Sequence, residues 1–286
     1  MSHPLFRRRM RRFDGQVSWV TGAGSGIGRS CAIALAERGS DVVLTGRRPG
    51  PLSLVADACR ARGVRATVAI ADVTQPSELQ AAVDGAVREH GRLDIVLANA
   101  GCSVSGRISQ LTTEEWRRQL EINVIGLAST VQVALPALHE TGGRIGLVGS
   151  VMAFVGLPGN GAYAASKAAV RAIGDTLHLE LVGSGVSCTT IHPGFVESDI
   201  ARVDNTGTLH LARVDPRPKA LMWSGEDAAA VMLDALHRRQ RELIFTGHGR
   251  IATWLARHVP GLTYAMLGGP LAGPVGAGPV PRSTAR

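Results

Sequence analysis

The stretch Gln16-Val-Ser-Trp-Val-Thr21-Gly22-Ala-Gly-Ser-Gly-Ile-Gly28 decides the fold of this chain. Its first half is a short run rich in β-branched and aromatic residues, which suits a buried strand. Its second half holds glycine at every other position from Gly22 to Gly28 and leads into an Ala/Leu/Ile-bearing helical segment ending near Gly39. A strand, a glycine-rich turn and a helix in that order make a cradle for phosphate. Glycines let the backbone approach the ligand, and the helix start offers free N–H groups and the positive end of its dipole. The spacing Thr21-Gly22-x-x-x-Gly26-x-Gly28 departs from Gly-x-Gly-x-x-Gly but keeps its physical logic. A glycine-rich turn alone is more often a plain loop; its place between strand and helix favours the phosphate site.

Working outward, strand-like and helix-like segments alternate along the chain. Short apolar runs predict strands at 17–21, 41–46, 65–70, 93–98, 144–149, 186–192 and 242–246. Helical periodicity marks 27–38, 51–62, 76–90, 113–139, 161–183 and 226–240. This alternation predicts an α/β fold, a doubly wound, seven-stranded and mostly parallel sheet with helices on both faces. Runs such as Ile95-Val-Leu-Ala98 suit strands buried on both sides.

Tyr163 and Lys167 stand four residues apart in Tyr-Ala-Ala-Ser-Lys, with Ser150 upstream. On a helix that spacing puts phenol and ammonium on one face. A free tyrosine, with a pKa of about 10, is a poor base near neutrality. A neighbouring positive charge lowers that pKa, so the phenol could exchange a proton with a carbonyl or alcohol oxygen. A serine hydroxyl could hold the same oxygen. In isolation the pair reads as a surface tyrosine beside a solvated lysine, and its context decides otherwise.

That context resembles the short-chain dehydrogenase/reductase family, of the compact single-domain type with a Rossmann fold. The resemblance runs from about Phe13 to about Gly247, with the motifs in family order. Thr21, Gly22, Ser25, Gly26, Ile27 and Gly28 match the cofactor turn. Asp72 and Val73 match the adenine-side acid and its neighbour, and Asn99-Ala100-Gly101 the turn after the fourth strand. Asn123, Ser150, Tyr163 and Lys167 match the catalytic set. Pro193-Gly194 and Val196 match the turn beside the nicotinamide. Ser198 stands where the family often has a threonine that bonds the carboxamide, and it carries the same hydroxyl.

Cofactor choice follows from charge. At the end of the second strand, Gly46 stands where an NAD enzyme usually carries an acid for the ribose 2′-hydroxyl. Arg47 and Arg48 follow, and guanidinium groups suit a 2′-phosphate. The other frequent basic position is Ser25, so one determinant is missing. NADP(H) is therefore expected over NAD(H), against the plainer alternative that both arginines are solvated loop charges.

The formal net charge of +8 is concentrated at the ends. Residues 1–12 carry five arginines and no acid, and residues 237–286 carry seven arginines and one acid. Residues 13–236 are net acidic, so nucleic-acid binding by a basic folded face is not expected. The segments read as a basic arm (1–12), a catalytic domain (13–247), an amphipathic extension (248–268) and a Gly/Pro-rich tail (269–286) expected to be disordered. In the extension, Ile251, Trp254, Leu255 and Val259 recur at helical spacing, and Pro260 is expected to end that helix. Such a stripe can pack on the fold, cover the cleft, pair with a second subunit or lie on a membrane surface. Packing is the commoner use, and peripheral membrane contact stays open. No stretch reads as apolar enough to span a bilayer, no secretory signal is evident, and the four cysteines form no C-x-x-C. A cytoplasmic protein with reduced thiols and no metal site is expected, with Cys102, after the Asn-Ala-Gly turn, read as a small packed residue in preference to a place near the nicotinamide. By resemblance it is a homodimer or homotetramer.

The resemblance implies reversible hydride transfer between NADP(H) and a carbonyl/alcohol pair. Tyr163 would pass the proton, Ser150 hold the oxygen, Lys167 lower the tyrosine pKa and hold the ribose, and Asn123 support a water relay from Lys167. Residues 196–223 are expected to form a mobile flap over the substrate. The apolar run Val151-Met-Ala-Phe-Val-Gly-Leu157 is expected to wall the site, which tilts the reading toward a lipophilic substrate. The rival is a non-catalytic NADP-binding regulator or a membrane-associated protein on the same scaffold. A dehydratase or epimerase using the same tyrosine is less favoured.

Overall fold

A computed structural model describes residues 12–268. Seven strands alternate with helices: β1 (Val17–Thr21), β2 (Asp41–Gly46), β3 (Ala66–Ile70), β4 (Ile95–Ala98), β5 (Arg144–Val148), β6 (Ser187–His192) and β7 (Glu242–Ile244). They form one parallel sheet in the order β3-β2-β1-β4-β5-β6-β7. The helices are α1 (Gly26–Glu37), α2 (Pro49–Arg60), α3 (Pro76–His90), α4 (Thr113–Leu120), α5 (Gly126–Thr141), α6 (Gly161–Glu180), α7 (Gly225–His237), α8 (Gly247–His258) and α9 (Pro260–Gly268). This is the doubly wound Rossmann architecture expected above. The chain reverses its direction of travel across the sheet between β1 and β4, which opens a crevice at the carboxyl ends of the strands.

Every residue of β1 and β4 is buried, which is why these strands read as unbroken apolar runs. Successive side chains go to opposite faces. Val20, Leu44 and Leu97 join the core under α1, α2 and α7. Trp19, Val43 and Val96 join the core with α3, α5 and α6. Trp19 is fully buried, and its indole N–H donates to the Thr45 hydroxyl at 2.8 Å, so its polar atom is satisfied. At the entry to the fold Phe13 is buried, and Arg12 is ion-paired with Asp234 of α7. Arg12 therefore belongs to the folded body rather than to the basic arm. The rest of that arm, 1–11, and the tail, 269–286, lie outside the described residues.

Local chemistry sets the element ends. α2 and α3 each open on a proline, whose missing N–H costs nothing in the first turn. α4 opens on a capping box between Thr112 and Glu115. The element boundaries expected from sequence shift by a few residues, with two larger differences. The single helix expected over 113–139 contains a π turn at Glu121–Ile125 between α4 and α5. Asn123 lies in that turn, which is where its side chain bonds inward. The C-terminal segment is two helices: Pro260 ends α8 and opens α9.

One expectation is corrected. The helical run Thr113–Thr141 spans 29 residues and contains an 18-residue window of mean hydropathy 1.4, enough by length and composition to cross a bilayer. Leu127, Val131 and Leu138 in this run belong to the core against the sheet, which accounts for its apolarity.

Candidate active site

The crevice at the strand ends is a cleft of about 380 Å³. One end is built by the glycine turn. Gly22 and Gly26 have φ of +66° and +50°, a region glycine enters without strain. A Cβ on Gly28 would lie 2.5 Å from the Asn99 side chain and would strike the Gly22 carbonyl. Gly22, Ser25, Gly26 and Ile27 line the cleft at the start of α1. Thr21 and Gly28 do not. Thr21 is buried, and its hydroxyl accepts from the Asn99 and Ala100 N–H groups at 3.0 and 3.1 Å. These two residues shape the cradle from behind instead of lining it, because the close β1–β4 contact consumes their space and their polar atoms.

Arg47, Arg48, Asp72 and Val73 line the same end. Arg47 Nη1 lies 3.6 Å from Asp72 Oδ2, and its side chain is 57% exposed. Asn99, Ala100 and Gly101 form the floor between the two halves. At the other end, Ser150, Tyr163, Lys167, Pro193, Gly194, Val196 and Ser198 converge. Strands β5 and β6 deliver the serine and the Pro-Gly turn, and α6 delivers the other two catalytic candidates.

Tyr163 and Lys167 share one face of α6, with Lys167 Nζ 5.7 Å from the phenol ring centroid. The expected lowering of the tyrosine pKa by Lys167 is not what the geometry gives. Burial drives the Tyr163 pKa up, while a hydrogen bond from Ser150 and the positive charge of Arg217 pull it down. Lys167 is itself buried, donates to the Val148 carbonyl at 2.8 Å, and has its pKa lowered by desolvation to about 8. The ammonium is therefore engaged with the strand end as well as facing the ring.

Asn123 is buried and does not line the cleft. Its Nδ2 donates to the Cys102 carbonyl at 3.0 Å and to Ser166 Oγ at 3.1 Å, and its Oδ1 accepts from the Cys102 N–H at 2.8 Å. It straps the turn after β4 onto α6, with no direct bond to Lys167. Gln119, one turn earlier, repeats the pattern: it donates to the Cys102 carbonyl and to Ser166, and accepts from the Val104 N–H. Cys102 lines the cleft, and burial pushes its thiol pKa up. Among the described residues, no group of three or more His, Cys, Asp or Glu is placed to hold a metal.

The expected apolar wall at 151–157 is also corrected, because none of those residues lines the cleft. Phe154 turns away and packs edge-on against His192 at 4.8 Å, with the Arg171 and Arg257 guanidinium groups over its ring. The apolar lining includes Ile122 and, from the 196–223 segment, Val196, Ile200, Val203 and Leu209. That segment covers the cleft and is held by specific bonds. Arg217 pairs with Asp215 and donates to the Val196 carbonyl at 3.0 Å and the Ser198 carbonyl at 3.3 Å. Asn205 bonds the Ser105 backbone and Glu115. Arg118 and Arg217 line the cleft and were not anticipated; nothing in their spacing distinguishes them from surface arginines.

The glycine cradle, the helix start and the open arginines fit a dinucleotide with phosphate groups at one end, and the hydroxyl-bearing set fits proton exchange at the other. The chain is similar to known proteins over most of its length. The short chain dehydrogenase family profile matches residues 16–208. An uncharacterized oxidoreductase from Myxococcus xanthus is 32% identical over 252 residues, covering 88% of this chain and 95% of that protein. A short-chain dehydrogenase/reductase from Burkholderia phymatum, solved with NAD, superposes with a TM-score of 0.76 at 29% identity, covering 86% of this chain and 93% of that one. A short-chain dehydrogenase from Burkholderia cenocepacia, solved with NADP, gives 0.72 at 28% identity over 84% and 99%.

Proposed function

The chain belongs to the short-chain dehydrogenase family, and from that premise we propose an NADP(H)-preferring oxidoreductase acting on a lipophilic carbonyl or secondary alcohol. The observation that carries the proposal is the convergence of Ser150, Tyr163 and Lys167 at one end of a cleft whose other end holds Arg47 and Arg48. NADP(H), when bound, supplies or accepts the hydride at nicotinamide C4. Thr21, Gly22, Ser25, Gly26, Ile27 and Gly28 cradle its phosphates directly or from behind. Asp72 and Val73 would hold the adenosine half, and Asn99, Ala100 and Gly101 would lie under the middle of the cofactor. Pro193, Gly194, Val196 and Ser198 face the nicotinamide half.

In the reducing direction Tyr163 gives its phenol proton to the carbonyl oxygen as the carbon receives hydride. Burial keeps that phenol protonated, which suits a proton donor. Ser150 holds the oxygen and stabilises the phenolate left behind. Lys167 would hold the ribose and return a proton to the tyrosine, with Asn123 supporting that relay through the strap it makes to α6. The reverse direction uses the same groups with the proton moving back.

Cofactor preference rests on Arg47, which is exposed enough to turn from Asp72 to a 2′-phosphate. A lipophilic substrate is supported by Ile200, Val203 and Leu209. Exposed Ile125, Leu179 and Val182 support pairing of subunits into a dimer or tetramer, and exposed Trp254, Leu262 and Tyr264 support a partner or membrane-surface contact through α8 and α9 of a protein working in the cytoplasm.

The test is a titration of the purified protein with NADPH and NADH by nicotinamide fluorescence, then turnover on a panel of lipophilic and small carbonyls. Tighter NADPH binding with turnover of any member supports the proposal. Tighter NADH binding overturns the arginine argument, and binding without turnover across the panel favours the regulator.

A further inference from the structure

We propose that Arg257, Glu242 and His192 form a positioning chain that ties helix α8, outside the strand–helix core of the fold, to the backbone of Ser150. The inference rests on the oxidoreductase reading above, since it assigns a role in placing that serine.

His192 ends β6 and is fully buried. Its Nδ1 lies 3.1 Å from the Ser150 carbonyl oxygen. A carbonyl only accepts, so Nδ1 carries the hydrogen and donates it. The Ser150 main chain is held from both sides as well. The Gly149 N–H donates to the Ile191 carbonyl at 2.7 Å, and the Val151 N–H donates to the Pro193 carbonyl at 2.9 Å. A Cβ on Gly149 would lie 2.7 Å from His192 Nδ1, so the bare glycine backbone is what admits the ring.

The other ring nitrogen, Nε2, faces Glu242 Oε1 of β7 at 3.5 Å. That is an ion-pair distance without hydrogen-bond geometry, and among the described residues Nε2 has no hydrogen-bond partner. Glu242 in turn takes both its oxygens to Arg257 Nη2 of α8, at 3.0 and 3.1 Å. The same guanidinium lies 4.5 Å from the centre of the Phe154 ring, whose edge contact closes the remaining side of His192. These contacts leave the imidazole one orientation. The first turn of α8 reaches the neighbouring strand end too: His248 Nε2 accepts from the Phe195 N–H at 3.2 Å and stacks on its ring. Helix α8 thus braces both the serine and the turn beside the nicotinamide.

The test compares H192F, H192N, E242Q and R257M in the full-length protein. H192N keeps an N–H donor near the Nδ1 position and H192F does not. With any carbonyl the enzyme turns over, H192F should lower kcat by roughly tenfold or more while NADPH affinity stays within about twofold, because misplacing a reacting group costs rate before binding. H192N should recover most of that loss. R257M should lower kcat in the wild-type background and have no further effect in H192N. Equal, multiplicative losses in both backgrounds, or an unchanged kcat in H192F, would overturn the chain.

If no carbonyl is reduced, the oxidoreductase reading fails, yet ring-nitrogen NMR of His192 still judges the chain. A protonated Nδ1 whose signals move in both E242Q and R257M supports it; an unprotonated Nδ1, or signals indifferent to R257M, contradicts it.

Discussion

Lys167 Nζ lies 5.7 Å from the Tyr163 ring centroid while donating to the Val148 carbonyl at 2.8 Å. The lysine therefore serves the strand end and the phenol at once, in a site that has removed it from water. Its pKa falls to about 8, whereas in an unfolded chain it would be about 10.4. Between those values the unfolded chain holds a proton that the folded one lacks, so stability rises with pH across that window. Below it both states are protonated and the burial cost is undiminished. Urea unfolding of wild type and Lys167→Met should show the difference moving in favour of wild type from pH 7 to pH 10. A difference that stays flat would contradict the buried, desolvated lysine.

Arg47 should decide the cofactor. Its contact with Asp72 is long and exposed, and such pairs are worth little. A bond from guanidinium to a 2′-phosphate is worth about 1.5–3 kcal/mol, or roughly 10- to 100-fold in affinity. Arg47→Ala should weaken NADPH by about that factor and leave NADH unchanged, as read by fluorescence titration. Equal weakening of both would show that Arg47 does not touch the 2′ position.

The glycine cradle should tolerate no methyl group at Gly28. Its Cβ would meet the Gly22 carbonyl and the Asn99 side chain, so Gly28→Ala should destabilise the fold by about 1–3 kcal/mol and abolish cofactor binding. Gly85, in the interior of α3, would meet only the Arg88 guanidinium at 3.7 Å, and Gly85→Ala should be neutral or slightly stabilising. Denaturation midpoints of the two variants make the comparison.

Arg217 should hold the 196–223 segment closed over the cleft. It is bonded to the Val196 and Ser198 carbonyls and to Asp215. Arg217→Met should speed proteolysis within 196–223 and raise KM for cofactor. Its charge also pulls the Tyr163 pKa down. Without it that pKa rises, so the pH dependence of alcohol oxidation, which needs the deprotonated phenol, should shift to higher pH. An unmoved profile would separate Arg217 from the tyrosine.

Much of this was legible in local sequence. The turn from Gly22 to Gly28, the buried runs of β1 and β4, and the Tyr163–Lys167 spacing depend on neighbours within a few residues, where periodicity and backbone freedom speak directly. Other features are set by distant parts of the chain. Phe154 reads as a cleft wall because it follows Ser150, but His192, Arg171 and Arg257 draw it to the opposite side. The π turn at Glu121–Ile125 places Asn123 against Cys102 and Ser166, partners that no helical pattern announces. Arg217 sits in a segment of mixed composition, and its importance comes from the carbonyls folded around it. The sign of the Tyr163 shift has a related origin: spacing brings the ammonium close, but only the packed structure reveals that burial opposes it.

In the proposed reaction Tyr163 passes the proton. Tyr163→Phe keeps the ring and its packing and removes the hydroxyl. Measured beside wild type on the same carbonyl with NADPH, the variant should lose turnover by roughly 100-fold or more, the scale of a removed general acid, while NADPH affinity stays within about twofold. Near-normal turnover in Tyr163→Phe would contradict the account.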